Sequence, residues 1–156
     1  MTNKVIQLNS KFNNDNLPEG AIPVSEETTV KIPIINTIYC LQYILAPENI
    51  IGYRLTLKDS LDDSTYFFMK FKEDFMVIDR LISGDYALIR QQEDVENGEV
   101  AAILINDIQR EVKLRRIYKN NNQITLRGDG PNCNSITLPK NKVKILGKCI
   151  MIDRKI

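Results

Sequence analysis

Short apolar runs recur along the chain between polar, turn-forming clusters. Brief apolar runs or partial alternation, bounded by Gly, Pro, Asn and Asp, fit the two-residue period of strands better than the longer period of helices. The predicted strands are Val30 to Ile35, Ile51 to Leu57, Tyr66 to Lys72, Tyr86 to Ile89, Val100 to Ile105, Glu111 to Tyr118, Gln123 to Arg127 and Lys142 to Asp153, the last interrupted by Gly147. Pro33 places the first at a sheet edge or strand end, since proline donates nothing to a ladder. Lys58 to Ser64 reads as a polar loop. Asn97-Gly98 supplies the positive φ of a tight turn before Val100. Asn106-Asp107 marks a hairpin, and Gly128 to Asn132 another turn. The expected fold class is all-β, built of many short strands.

Residues 1–28 read differently from residues 29–156. They are polar and rich in asparagine, broken by Pro18-Glu19-Gly20 and Pro23, with Val5, Ile6 and Leu8 as a short apolar patch. This composition predicts a flexible arm ahead of one β domain. The alternative is an arm that docks on a partner or on its own domain. No pair of amphipathic helices is predicted there, so the arm carries no helix-turn-helix.

Composition narrows the function classes. A chain of 156 residues, 43% hydrophobic and 26% charged, suits one soluble domain with a real core. Its 21 Lys+Arg against 20 Asp+Glu leave a formal charge of +1, a weak electrostatic match for nucleic acid. DNA binding by this chain is therefore not expected. The cluster Arg110, Lys113, Arg115, Arg116 and Lys119 reads first as a solvated hairpin face and second as a phosphate contact. No apolar run approaches the roughly 20 residues of a membrane span, and no basic-then-apolar leader opens the chain. These features predict a cytoplasmic protein without a membrane partner. The three cysteines, Cys40, Cys133 and Cys149, lack CxxC spacing and read as free thiols. The sequence contains no histidine, which removes Ser-His-Asp and Cys-His catalysis and the commonest metal ligand. No metal and no cofactor are expected.

The most informative stretch is Tyr66 to Arg90. An apolar run, Tyr66-Phe67-Phe68-Met69, leads through charged residues to Glu73-Asp74-Phe75-Met76, and then to Ser83-Gly84-Asp85-Tyr86. Upstream, Ile32 to Leu41 runs on to Ala46-Pro47-Glu48-Asn49-Ile50. Downstream, Asn97 to Ile103 is followed by Glu111-Val112-Lys113-Leu114-Arg115-Arg116-Ile117. In this order the segments resemble the LexA/UmuD family of self-cleaving serine peptidases, the S24 group, related in fold to signal peptidases. The resemblance covers about Thr29 to Ile156. It implies a β-barrel or folded β-ribbon of short strands.

The resemblance also implies a chemistry that this chain lacks. Family members cut their own backbone with a Ser-Lys dyad, in which a desolvated neutral lysine takes the serine proton. Here the serine position is Phe75, without a nucleophilic atom. The lysine position is Arg115, whose guanidinium stays protonated at any biological pH. The scissile pair is Cys40-Leu41, where a glycine would normally follow the cut and allow a strained turn. The catalytic set is therefore empty, and the chain reads as a pseudo-enzyme. Lys113, two residues before Arg115 on the same strand face, stands as a possible residual base. Ser83 is the nearest hydroxyl. Phe75 is expected to plug the vacated cleft.

The function implied is a non-catalytic regulatory and dimerisation domain in a transcriptional switch or DNA-damage response. It would be a repressor effector domain or a UmuD-like accessory, with RecA, a polymerase or a repressor as candidate regulatory partners. By resemblance, Leu146, Lys148, Ile150 and Ile152 form the symmetric contact of a homodimer. The alternatives are an active self-cleaving Ser-Lys peptidase and a peptide-binding β module.

Overall fold

The structure, a computed structural model, describes residues 19–21, 25–37, 44–72, 80–105, 109–128 and 134–154, with side chains in the fifth span from residue 111 onward. The strands are β1 (Thr29–Ile35), β2 (Ile50–Leu57), β3 (Tyr66–Lys70), β4 (Tyr86–Gln91), β5 (Val100–Ile105), β6 (Gln109–Asn120), β7 (Gln123–Arg127), β8 (Ile136–Pro139) and β9 (Val143–Asp153). Among the described residues, helical structure is limited to short 3-10 turns at Pro47–Asn49, Lys58–Ser60 and Lys140–Lys142. The all-β expectation holds. The strands form one nine-stranded sheet in the order β2-β1-β3-β4-β9-β5-β6-β7-β8.

Two compact units are distinguished. One holds the described residues up to Lys31 together with Leu55–Asp63, and the other holds Ile32–Arg54 and Ser64–Ile156. In the first, a turn at Ser25 to Thr28 precedes β1. The Thr29 amide donates to Ser25 O at 2.9 Å, and the Ser25 amide donates to Thr28 Oγ1 at 3.0 Å. Small hydroxyl side chains close such turns by satisfying backbone groups locally. In the same unit the Lys58 amide donates to Thr28 O at 2.9 Å. Residues 1–18 of the expected arm lie outside the described residues.

The second unit contains the core. On β5, Ala101 and Ile103 belong to one buried cluster, with Ile117, Ile124, Leu126 and Val143. Ala102 and Leu104 belong to another, with Phe67, Met69, Ile89, Leu114 and Leu146. Neighbouring strand residues point to opposite faces, so this split shows that β5 is covered on both sides. That explains its unbroken apolar sequence. Phe67 is fully buried, an environment worth roughly 1.5–3 kcal/mol per large apolar side chain.

Several boundaries differ from expectation for identifiable reasons. β3 ends at Lys70, after which Phe71 joins the turn before β4: its amide donates to Asp85 O at 2.7 Å, and its carbonyl accepts from the Gly84 amide at 2.7 Å. β1 lies between β2 and β3 rather than at the sheet edge. Its parallel register with β3 pairs Ile34 with Phe68 and Ile35 with Met69, so Pro33 precedes the ladder on that side. β8 was not foreseen. The Asn106-Asp107 hairpin tip and most of the Gly128 to Asn132 turn lie outside the described residues. Asn97-Gly98 turns as expected, with Gly98 at φ 87°.

β9 ties the sheet together. It pairs antiparallel with β4 from Tyr86↔Asp153 to Gln91↔Gly147, and with β5 from Ala101↔Lys148 to Ile105↔Val143. Both ladders slip by one residue along the way, as a β-bulge requires. At Gly147 the neighbouring strand comes close. A Cβ there would fall on the Arg90 carbonyl oxygen, with the Ile89 side chain 2.6 Å away. The glycine that interrupts the sequence pattern is thus a close backbone approach.

Candidate functional site

The end of β3 and the start of β6 border a small cleft. It is lined by Thr37, Met69, Lys70, Phe71, Lys72 and Glu111 to Leu114, with room at its floor for about one water-sized group, about 10 Å³. Alternation along β6 builds one wall: Val112 and Leu114 enter the apolar core beside Met69 and Phe71, which leaves Lys113 on the opposite face of the strand. Thr37, just past β1, is attached to this wall because the Val112 amide donates to its carbonyl at 2.7 Å. It is 4% exposed, and among the described residues Oγ1 has no hydrogen-bond partner. The charged residues along the cleft are Lys70, Lys72, Lys113 and Glu111, and the Lys70 ammonium lies 5.9 Å from the centroid of the Tyr86 ring.

A second polar centre closes the turn after the cleft. Asp85 is 1% exposed. Arg154 grips it with two parallel bonds, Nε to Oδ1 and Nη2 to Oδ2, each 2.7 Å. The Ile82 amide adds a bond to Oδ2 at 3.0 Å, and Arg154 Nη2 also reaches Arg80 O at 2.6 Å. Arg80 holds a left-handed φ of 61°, uncommon for a residue with a side chain. The hydrogen bond from Arg154 holds the Asp85 carboxyl below the usual carboxylate range, with the Ile82 amide assisting and burial opposing. This planar two-point pairing is the strong form of a charged hydrogen bond.

The expected site residues fall in different places. Cys40, Leu41 and Phe75 lie outside the described residues, as does Cys133. Arg115 is 8% exposed, opposite Ala101 in the β5–β6 register, and its Nη1 donates to Leu114 O at 2.7 Å. Lys113 lines the cleft; Arg115 does not. Ser83 is exposed in the turn before Asp85.

Of the basic cluster, Arg115, Arg116 and Lys119 are engaged within the protein. Lys119 pairs with Asp94 at 2.8 Å, a contact that lowers the Asp94 carboxyl. Arg116 donates to Gly98 O. The Arg110 side chain lies outside the described ones.

Of the four β9 residues assigned to a symmetric contact, Leu146 packs into the core and Ile152 packs against it. Lys148 pairs with Glu99 and holds that carboxyl low. Ile150 is 37% exposed, beside Met151. Cys149 is a free thiol, and burial pushes its pKa up to about 11, so it is neither an activated nucleophile nor a thiolate ligand near neutral pH.

Among the described residues no three His, Cys, Asp or Glu side chains group as metal ligands, and no helix is long and apolar enough to cross a membrane. Sequence reasoning missed two residues that matter here, Thr37 and Arg154. A single threonine after a strand carries no signal, and the partner of Arg154 lies 69 residues away.

Comparison with known proteins agrees with this architecture. The family model described as Peptidase S24-like matches residues 33–150. A LexA repressor of Syntrophomonas wolfei is 29% identical over 144 residues, covering 89% of this chain and 68% of that protein. A LexA repressor of Desulforamulus reducens is 35% identical over 135 residues, with 85% and 59% covered. One from a Thermotoga species is 30% identical over 138 residues, with 87% and 68% covered. The chain thus spans between 59% and 68% of the length of these relatives.

Proposed function

The chain belongs to the S24-like peptidase family, and on that premise we propose that it is a non-catalytic regulatory and dimerisation domain of the LexA/UmuD kind, serving a transcriptional switch or a DNA-damage response. The observation that carries this reading is Arg115. By the resemblance it stands at the dyad's lysine position; it is buried, and it spends one guanidinium nitrogen on the neighbouring carbonyl of Leu114. A guanidinium cannot become the neutral base that the chemistry needs. Phe75 at the serine position removes the nucleophile as well. Lys113 at the cleft is the group that an active alternative would have to recruit.

Self-association is proposed through the end of β9. The β5 ladder covers Val143 to Lys148, and the β4 ladder continues alone to Asp153. Ile150 and Met151 stand exposed on this last stretch. A strand with one partner and apolar side chains is suited to pairing across a two-fold axis. Regulatory partners such as RecA, a polymerase or a repressor would read the assembled domain.

The test is intact-mass spectrometry after incubation at alkaline pH, where a lysine base would be neutral. The wild-type chain and Phe75→Ser remain intact on this reading, because the second variant still lacks a base. A cleaved product from either overturns it. Restoring both groups, in Phe75→Ser with Arg115→Lys, asks whether the loss is confined to the dyad. Sedimentation of the same preparation reads the dimer, with Ile150→Glu expected to shift it toward monomer.

A further inference from the structure

We propose that Asn97-Gly98 is a modification site, where spontaneous deamidation is held back by the fold and released when the turn before β5 lifts from β6. It is the one Asn-Gly pair in the sequence. Asparagine is a labile residue, and glycine after it leaves the next amide nitrogen unshielded. In the reaction the Gly98 nitrogen gives up its proton and attacks Asn97 Cγ. The Cγ–Nδ2 bond breaks, the amide nitrogen takes the proton and leaves as ammonia, and a succinimide ring closes. Water then opens the ring at either carbonyl, leaving an aspartyl or an isoaspartyl linkage at position 97. Water is the only co-reactant.

The fold engages both reacting groups. The Gly98 amide donates to Ile117 O at 2.8 Å. Taking its proton there would leave a negative nitrogen against a carbonyl oxygen. Asn97 Oδ1 accepts from the Lys119 amide at 2.8 Å, and Nδ2 contacts Lys119 O at 3.4 Å, so the side chain is turned to β6. The Lys119 amide also polarises the carbonyl that would be attacked. With the Gly98 nitrogen occupied, that polarisation has no nucleophile to assist, and protection wins. The same loop is fastened by the Lys119–Asp94 pair at 2.8 Å and by Val95, 3% exposed in the cluster with Ile117 and Ile124. Reaction therefore needs a local opening of the loop from β6.

Loss of ammonia makes the change permanent. An aspartyl residue sets a carboxylate oxygen where Nδ2 met the Lys119 carbonyl, acceptor against acceptor. An isoaspartyl linkage lengthens the backbone by one methylene and moves Gly98 out of register with Ile117. Neither product reseats as before, so each opening that ends in reaction leaves the cover over Val95 loosened. The site thus records how often this loop has lifted, and it does so independently of any activity of the cleft.

The test is peptide mapping by mass spectrometry of the full chain, aged at mildly alkaline pH in buffer and in guanidinium chloride. Conversion at Asn97 is expected to be at least about 10-fold faster in the denaturant, where the loop is open throughout. Asp94→Ala removes an exposed ion pair and should speed conversion of the folded chain about 2-fold. Val95→Ala removes buried packing and should speed it at least about 10-fold. Neither substitution should alter the rate in denaturant. Asn97→Gln, which would need a larger ring, should stay intact in both. Equal rates for the wild-type chain in buffer and denaturant, no conversion in denaturant, or folded-state rates unmoved by Asp94→Ala and Val95→Ala each overturns the proposal. If Val95→Ala does not fold, Asp94→Ala decides.

Discussion

Two polar regions meet at Phe71, and they treat their buried polar atoms in opposite ways. In the Asp85 corner both carboxylate oxygens are engaged, by Arg154 and by the Ile82 amide, and the Phe71 amide donates to the Asp85 carbonyl. In the cleft, which Phe71 also lines, the Thr37 hydroxyl has no partner among the described residues. A fold that satisfies one buried group three times over and leaves its neighbour unmet is not short of hydrogen-bonding options. The corner belongs to the frame, where each polar group is a closed account within the chain. The cleft has the profile of a site whose remaining partner is external.

If that division is right, damage to the frame should cost folding, and damage to the cleft should not. The largest effect is expected at Gly147, where β9 passes closest to β4. Gly147→Ala would drive a methyl into the Arg90 carbonyl oxygen and the Ile89 side chain. Backbone must move to make room, so the loss should be at least about 3 kcal/mol, at the upper end of overpacking costs. Urea unfolding followed by circular dichroism measures it. A loss under about 1 kcal/mol would mean that β9 can shift freely, and the frame would lose its rigid member.

Asp85→Ala should come next. It leaves the Ile82 amide without its acceptor and removes the group that holds Arg154. The expected loss is about 1–3 kcal/mol, the usual range for an orphaned buried group. Its pH dependence follows from the lowered carboxyl. The folded pKa lies below the unfolded value, near about 3.9. The stabilisation is therefore fully present above the unfolded pKa and is lost as pH falls through the folded one. Between pH 6 and the acid limb, the gap between wild type and Asp85→Ala should narrow toward the low end. A gap that stays constant would show that the ionised carboxylate contributes nothing, and that the corner is held by shape alone.

The frame was more legible in the sequence than the cleft, for physical reasons. Val100–Ile105 and Gln123–Arg127 are bounded by turn residues and rich in branched side chains, so pattern alone located them. Ile136–Pro139 escaped because it is four residues long, mostly exposed, and stabilised by pairing with β7 at Leu126↔Ile136 and Ile124↔Leu138. Sequence periodicity reports burial, and a short exposed strand has little of it. The basic residues near Lys113 looked like a patch because their partners are distant: Asp94 lies 25 residues from Lys119. Thr37 could not be singled out at all, since its role comes from what fails to surround its hydroxyl. The family resemblance points to Phe75, which lies outside the described residues, and to Arg115. Of these, Arg115 lies opposite Ala101, while Lys113 lines the cleft itself.

The smallest expected effect is the one that tests the division most closely. Thr37→Val keeps the branched shape and removes the hydroxyl. In the frame, such a change would break a satisfied bond and cost about 1 kcal/mol. In the cleft there is no bond to break, and the substitution removes a buried donor that gains nothing from folding. Stability of the unliganded chain should therefore rise by about 0.5–1 kcal/mol, seen as a higher urea midpoint with an unchanged slope. The gain would mark a group kept at some cost to the free fold. A loss of about 1 kcal/mol would place the hydroxyl in a satisfied network of water and backbone. Thr37 would then join Asp85 as part of the frame, and the contrast between the two regions would disappear.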